Sequence, residues 1–216
     1  MIRAAIFDLD GTLLDTLGDL HAAVNVALAA FHLPPRSLDE VRRFVGNGIR
    51  DLMTKSVPEG TAYPHFEECL AAFRAHYSAH STDLTRPYEG ISELLRSLRA
   101  RGIATAIVSN KFDGAVKALA DHYFPTLIDV AVGEAPDRRK KPAPDTVLAV
   151  LDALSVRPEE AVLVGDSDVD ILTAKNAGTA GIGVLWGFRD RACLAAAGAV
   201  TVVATARELE DALLAL

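Results

Sequence analysis

The first hydrophobic run of the chain, residues 2–7, has strand length and is apolar on both faces. Such a run is typical of a strand buried in a parallel sheet. It breaks at residues 8–12, Asp-Leu-Asp-Gly-Thr, where two carboxylates and a glycine follow directly. In open parallel sheets, ligands bind beyond the carboxyl ends of the strands. We therefore expect a chemical site at this break.

From residue 16 to about residue 82, apolar residues recur at helical spacing and no strand is evident. Pro34 and Pro35 end the first predicted helix, and Ser37 is the expected N-cap of the second. Four helices are predicted: 17–31, 38–45, 49–57 and 66–80. A helical segment beside a strand-rich remainder indicates an insert.

From residue 86 onward, strands alternate with helices of about ten residues, which indicates βαβ units and a parallel sheet. The predicted strands are 103–108, 127–132, 161–164, 181–185 and 201–203. The predicted helices are 91–101, 113–121, 144–154, 168–176, 190–196 and a last one from residue 206. The fold class is therefore α/β, with a core of residues 1–15 and 86–216 and a helical insert of residues 16–85.

Composition excludes several classes of partner. The chain has 216 residues, half of them hydrophobic, and a net charge of −7. That charge argues against nucleic acid or an anionic membrane as the main partner. No signal peptide or transmembrane run is visible. We expect a cytoplasmic protein that acts on a small molecule, as a monomer or a homodimer.

Asp8 and Asp10 are two residues apart at a strand end, so both can face one pocket. Two such charges repel each other unless a cation or a proton sits between them. Magnesium commonly takes one or two carboxylates together with phosphate oxygens. Gly11 permits an unusual backbone turn, and Thr12 offers a hydroxyl and an N–H to an anion.

Two further polar clusters admit two interpretations each. Ser109-Asn110-Lys111 follows a predicted strand and is either an anion cradle or an ordinary helix cap. Lys141 lies between Lys140 and Pro142, in a loop that prolines restrict. It either meets a phosphate at the next helix or belongs to a solvated basic run.

A third cluster, residues 165–170, has the sequence Gly-Asp-Ser-Asp-Val-Asp and follows another predicted strand. It is either a magnesium site or acidic capping of the next helix, by Asp168 above all. In the first interpretation Asp166 reaches the metal, and Asp170 serves as a second carboxylate or acts through water. Trp186 and Phe188, near a later strand end, are interpreted as packing residues.

The four motifs, in this order along nearly the whole chain, resemble the haloacid dehalogenase superfamily and, more narrowly, its phosphoglycolate phosphatase-like group. The resemblance implies a Rossmann-like core with a helical cap inserted after the first strand. It also implies magnesium-dependent hydrolysis of a phosphomonoester through an aspartyl-phosphate.

The same resemblance implies a role for each matching residue. Asp8 would be the nucleophile and Asp10 the general acid and base. Lys141 would neutralise charge on the transferred phosphoryl group. Phosphate-binding residues would be Thr12, Ser109 and Asn110. The magnesium ligands would be Asp8, Asp10 through its carbonyl, and Asp166, with Asp170 behind them.

Residues 46–50, Gly-Asn-Gly-Ile-Arg, resemble the cap loop of the phosphoglycolate phosphatase group. We expect Arg50 or Lys111 to meet a second anionic group of the substrate, such as a carboxylate. Alternatively, Gly46 and Gly48 only turn one helix into the next and Arg50 is solvated.

The resemblance thus implies a phosphoglycolate phosphatase. Another small-molecule phosphatase, a pyrophosphatase or a phosphosugar mutase would share the same core. A hydrolytic dehalogenase would leave Asp10 and the 166–170 acids unused. A phosphoaccepting signalling domain would leave both Asp10 and the helical insert without a purpose.

Overall fold

The computed structural model describes all 216 residues and divides into two compact units. One unit comprises residues 1–14 and 87–216, and the other comprises residues 15–86. Each boundary lies one residue from the sequence-based one. The assignment of these units as catalytic core and cap stays a prediction.

Eight strands form two sheets, and the larger one is wholly parallel, with the order β5-β4-β1-β6-β7-β8. The strands are β1 (Ala4–Phe7), β2 (Leu14–Asp15), β3 (Arg86–Pro87), β4 (Ala104–Phe112), β5 (Val130–Glu134), β6 (Ala161–Gly165), β7 (Ala180–Val184) and β8 (Thr201–Val203). The short β2 and β3 pair with each other where the chain leaves the first unit and returns to it. The predicted α/β fold with a parallel sheet is confirmed.

Helices cover both faces of the larger sheet. They are α5 (Ile91–Ala100), α6 (Asp113–Tyr123), α7 (Asp145–Leu154), α8 (Asp168–Ala177), α9 (Arg191–Ala196) and α10 (Ala206–Leu214). Successive strand residues point to opposite faces, so Ala5 and Phe7 pack in the cluster that includes α5, α6 and α10. Ala4 and Ile6 pack in the cluster that includes α7 and α8. This double burial explains why β1 is hydrophobic throughout.

The 15–86 unit is helical, as its periodicity predicts. Its helices are α1 (Leu17–Ala30), α2 (Leu38–Phe44), α3 (Ile49–Ser56) and α4 (Phe66–His80), with a 3₁₀ turn at Gly60–Ala62. α1 packs mainly against α4. Ser37 is the N-cap of α2 and forms a capping box with Glu40. None of the helices in the chain combines the length and hydrophobicity needed to cross a membrane.

Two local predictions are wrong. β4 does not end at Val108 but continues to Phe112, with a shift of register in between, so Ser109 and Lys111 lie in a strand. The reason is that β5 begins at Val130 and pairs with β4 as far as Glu134. The N-cap of α8 is Ser167, in a capping box with Asp170, whereas Asp168 is only the first helical residue.

Candidate active site

Three adjacent strands in the middle of the sheet run in the same direction toward one edge. β1 lies between β4 and β6, with Phe7 opposite Ile107 on one side and Val164 on the other. Asp8 directly follows β1, and Asp166 directly follows β6. This edge is where ligands bind in such sheets. The register of the strands therefore brings distant predicted residues together.

Lys141 is the cation of this cluster, and its side chain is almost fully buried. Its Nζ donates to Asp170 Oδ1 at 2.6 Å and to the Val108 carbonyl oxygen at 3.0 Å. It also lies 2.9 Å from Asp8 Oδ1. Burial alone would lower the pKa of this ammonium, but Asp170 and Asp8 raise it above its usual value. Lys141 therefore stays protonated between two carboxylates.

Asp8 is a buried carboxylate whose charge is only partly compensated. Burial raises its pKa to about 7, Lys141 opposes the rise, and Asp170 and Asp10 add to it. Its Oδ1 lies 2.9 Å from the Lys141 ammonium in an ion pair and accepts no other hydrogen bond. A buried oxygen left in this state favours a further cation or proton nearby.

Asn110 and Asp170 hold Lys141 in place. The Asn110 amide donates to the Lys141 carbonyl oxygen at 3.1 Å and accepts from the Lys141 N–H at 2.8 Å. Asp170 Oδ2 accepts from the Ser167 N–H at 3.1 Å and from its hydroxyl at 2.6 Å, while Oδ1 accepts from Lys141. These contacts favour positioning roles for both residues, and the expected phosphate contact of Asn110 stays a prediction.

Asp10 forms a second ion pair in the cluster. Lys111 Nζ donates to Asp10 Oδ1 at 2.8 Å, and both side chains are largely buried. An ion pair in so dry a setting fixes the direction of the carboxylate. Ser109, also buried, accepts a hydrogen bond from the Lys111 N–H at 3.3 Å.

Asp166 is held from two sides. Thr12 Oγ1 donates to Asp166 Oδ1 at 3.1 Å, and the Phe188 N–H donates to Oδ2 at 2.7 Å. Burial raises its pKa to about 8, Asp170 and Asp8 add to the rise, and the two donors oppose it. The Thr12 hydroxyl, expected to hold phosphate, is thus bonded to a carboxylate.

The residues fit a metal ion. Asp8, Asp166 and Asp170 each offer a carboxylate oxygen, and these atoms lie within 4.8 Å of one another. Three buried carboxylates with one buried ammonium among them carry an excess of negative charge. Hard divalent cations bind carboxylate oxygens of this kind. Asp170 already accepts from Lys141 and Ser167, so Asp8 and Asp166 are the better ligands.

Arg50 belongs to the 15–86 unit and is engaged there. Its Nη2 bonds both carboxylate oxygens of Glu67, at 2.7 and 2.8 Å, and its guanidinium lies 5.5 Å from the centre of the Phe66 ring. Both charged side chains are more than half exposed. Its predicted contact with substrate stays a prediction.

Two contacts were missed at the sequence level. Trp186 Nε1 donates to the Thr12 carbonyl oxygen at 3.0 Å, and Phe188 bonds Asp166 through its main chain. Both residues were interpreted as packing only. The sequence signal was Gly187 between two aromatic residues after a strand, since glycine there often marks a close approach of two backbones.

Comparisons with known proteins agree with this arrangement. The profile of the haloacid dehalogenase-like hydrolase family matches residues 5–184. A phosphoglycolate phosphatase from Aquifex aeolicus is 36% identical, over 87% of this chain and 86% of its own. Phosphoglycolate phosphatase 1 of Pseudomonas aeruginosa is 34% identical, over 96% and 78%.

A solved structure has the same fold as this chain. The crystal structure of a phosphoglycolate phosphatase homologue from Lactobacillus delbrueckii superposes with a TM-score of 0.93 at 34% identity, covering 98% of both chains. Family profile, relatives and fold thus agree over most of the chain. The chain belongs to the haloacid dehalogenase-like hydrolase family.

Proposed function

We propose that the protein is a magnesium-dependent phosphatase that hydrolyses 2-phosphoglycolate to glycolate and phosphate. The observation that carries the chemistry is the shared ammonium of Lys141, between Asp8 and Asp170, beside the Asp8 and Asp166 carboxylates. A nucleophile flanked by an ammonium and a cation-binding cluster suits attack on an anionic phosphate. The choice of substrate is supported by the names of the relatives.

Asp8 is the proposed nucleophile. A carboxylate oxygen of Asp8 attacks phosphorus, the bond from phosphorus to the ester oxygen breaks, and Asp10 protonates the departing alkoxide. Asp10 then takes a proton from the water that attacks the phosphoaspartate, which releases phosphate and restores Asp8. Lys111 holds Asp10 in one direction through the 2.8 Å ion pair.

Lys141 neutralises charge on the transferred phosphoryl group, and Asn110 and Asp170 keep its ammonium in position. Asp8, the Asp10 carbonyl and Asp166 would hold magnesium, which when bound offsets repulsion between the nucleophile and the phosphate. Thr12, Ser109 and Asn110 remain the proposed phosphate contacts. The proposal also includes a cytoplasmic location and a small phosphorylated metabolite as the only substrate class.

The proposal is tested by phosphate release from a panel containing 2-phosphoglycolate, sugar phosphates, nucleoside monophosphates and pyrophosphate, with magnesium or with chelator. We expect magnesium-dependent release with the highest kcat/KM for 2-phosphoglycolate. Similar rates of phosphate release over the whole panel would support the phosphatase chemistry and reject 2-phosphoglycolate as the preferred substrate. No release, combined with isomerisation of a phosphosugar, would replace the phosphatase by a mutase.

Arg50 is the proposed carboxylate contact of the 15–86 unit. Replacing Arg50 with Ala should raise KM for 2-phosphoglycolate about tenfold or more, because a hydrogen bond to a charged group contributes roughly 1.5–3 kcal/mol. Steady-state kinetics would measure this change, with kcat largely retained.

Glu67→Gln is the matched control, because it weakens the ion pair at 2.7 Å and leaves the guanidinium in place. We expect its KM to match the wild type or to fall. An unchanged KM in Arg50→Ala would assign Arg50 to the surface of its own unit.

A further inference from the structure

Residues 186–188 follow β7 and are linked to the Asp166 carboxylate by two routes, one direct and one through Thr12. The direct route is the Phe188 N–H, which donates to Asp166 Oδ2 at 2.7 Å. The indirect route starts at Trp186, whose Nε1 donates to the Thr12 carbonyl oxygen at 3.0 Å. Thr12 Oγ1 then donates to Asp166 Oδ1 at 3.1 Å. Both oxygens of one carboxylate are thus oriented by this segment, which we call the 186–188 loop.

Two glycines allow this close approach. A Cβ on Gly187 would lie 2.3 Å from Asp166 Cβ and 2.3 Å from the Gly11 carbonyl oxygen. A Cβ on Gly11, whose φ is +87°, would lie 2.6 Å from Asp166 Oδ2. Neither side could yield without moving the backbone or the carboxylate. The Asp166 side chain is therefore enclosed between two chain segments that are more than 170 residues apart in sequence.

We propose that the 186–188 loop positions Asp166 as a metal ligand, with Trp186 as its positioning residue. The inference rests on the proposed metal-dependent function, and it assigns to this loop a role beyond packing. A metal ligand whose oxygens are fixed by donors needs less reorganisation on binding, and loss of such outer contacts weakens metal affinity. The indole N–H acts by fixing the backbone at Thr12, from which the hydroxyl reaches Asp166.

Packing alone does not account for the contacts. The Trp186 ring does pack near Tyr88, with a centroid separation of 6.4 Å. A ring placed only for packing needs no hydrogen-bond partner, yet the indole N–H donates to the Thr12 carbonyl oxygen. The adjacent Phe188 bonds the other oxygen of the same carboxylate.

Trp186→Phe separates the two roles, because it keeps an aromatic ring and removes only the indole N–H. Titration of the full-length protein with Mg²⁺ by calorimetry, in phosphate-free buffer, should show Kd raised about tenfold, the lower end of the range for lost outer contacts. Tyr88→Phe is the matched control, since it alters the neighbouring ring and leaves the indole bond intact. Its Kd should equal that of the wild type.

Wild-type protein provides a second measurement that needs no variant to fold. Trp186 is the only tryptophan, so its emission should change on Mg²⁺ addition with the calorimetric Kd. Two results would overturn the role of the loop and leave the proposed function standing. One is unchanged Trp186 emission while calorimetry shows Mg²⁺ binding, and the other is an unchanged Kd in folded Trp186→Phe. Absence of Mg²⁺ binding in the wild type would overturn the metal site itself, and the inference with it.

Discussion

Asp8→Asn is expected to abolish turnover and, in metal-free protein at pH 8, to raise the melting temperature. Turnover should fall by about 10³-fold or more, as when hydrolases lose their nucleophile. Stability should rise because burial, with Asp170 and Asp10, raises the pKa of Asp8 to about 7 against the attraction of Lys141. A raised carboxyl pKa means that the folded state disfavours the charge, which most Asp8 side chains carry at pH 8 and which Asn lacks.

Calorimetric melting with and without Mg²⁺ checks this prediction. Each kcal/mol gained shifts the midpoint by roughly 2–4 °C in a chain of this size. Mg²⁺ should stabilise the wild type more than Asp8→Asn, because the variant has lost one ligand. Asp168→Asn is the control: it removes a nearby acid that lies outside the three-carboxylate cluster and should keep activity. A lower melting temperature in metal-free Asp8→Asn would contradict the argument.

Local patterns were sufficient for most of the fold. The hydrophobic run at residues 2–7 predicts a strand buried on both faces, and β1 has Ala4 and Ile6 in one cluster and Ala5 and Phe7 in the other. Ser37 was predicted as a cap because it directly precedes the helical run, and its side chain does accept from the Glu40 N–H. Such signals depend only on neighbours along the chain, so one sequence displays them.

Contacts between distant residues were not predictable in this way. Asp19 illustrates the point inside the 15–86 unit. Its buried carboxylate accepts from the N–H groups of Leu84 and Thr85 and from the Thr85 hydroxyl, which tie the end of the unit to its first helix. Nothing in the local sequence distinguishes Asp19 from an ordinary acid in the first turn of a helix.

In the candidate site, too, local signals were predictable and contacts between distant residues were not. Residue types at strand ends were enough to single out Asp8 and Asp166, because parallel strands end at one edge. The partners of Asn110 and Thr12 were not evident, since Asn110 bonds Lys141 and Thr12 bonds Asp166 across long stretches of chain. The sequence does not tell whether a hydroxyl or amide beside a predicted phosphate site bonds the ligand or another group of the protein.

Lys141→Met is expected to abolish activity and to destabilise the fold by about 3–5 kcal/mol, the usual effect of removing one partner from a buried ion pair. The ammonium contacts Asp170 at 2.6 Å and Asp8 at 2.9 Å, and all three side chains are buried. Without it, Asp8 and Asp170 remain in a dry site and both have lost their ammonium partner. Denaturant unfolding of metal-free protein measures the loss.

Two further variants separate charge from packing. Lys140→Met changes the preceding lysine, which is 43% exposed and lies 3.7 Å from Glu134, so we expect stability within about 0.5 kcal/mol of the wild type. Lys141→Met with Asp170→Asn removes an opposite charge as well, and its cost should fall below the sum of the single variants by about 0.5–3 kcal/mol. Strict additivity would mean that Lys141 stabilises the fold without its contact to Asp170, through Asp8, the Val108 carbonyl or its buried methylene groups. In that case the role of Asp170 would be confined to the N-terminus of α8, where it already bonds Ser167.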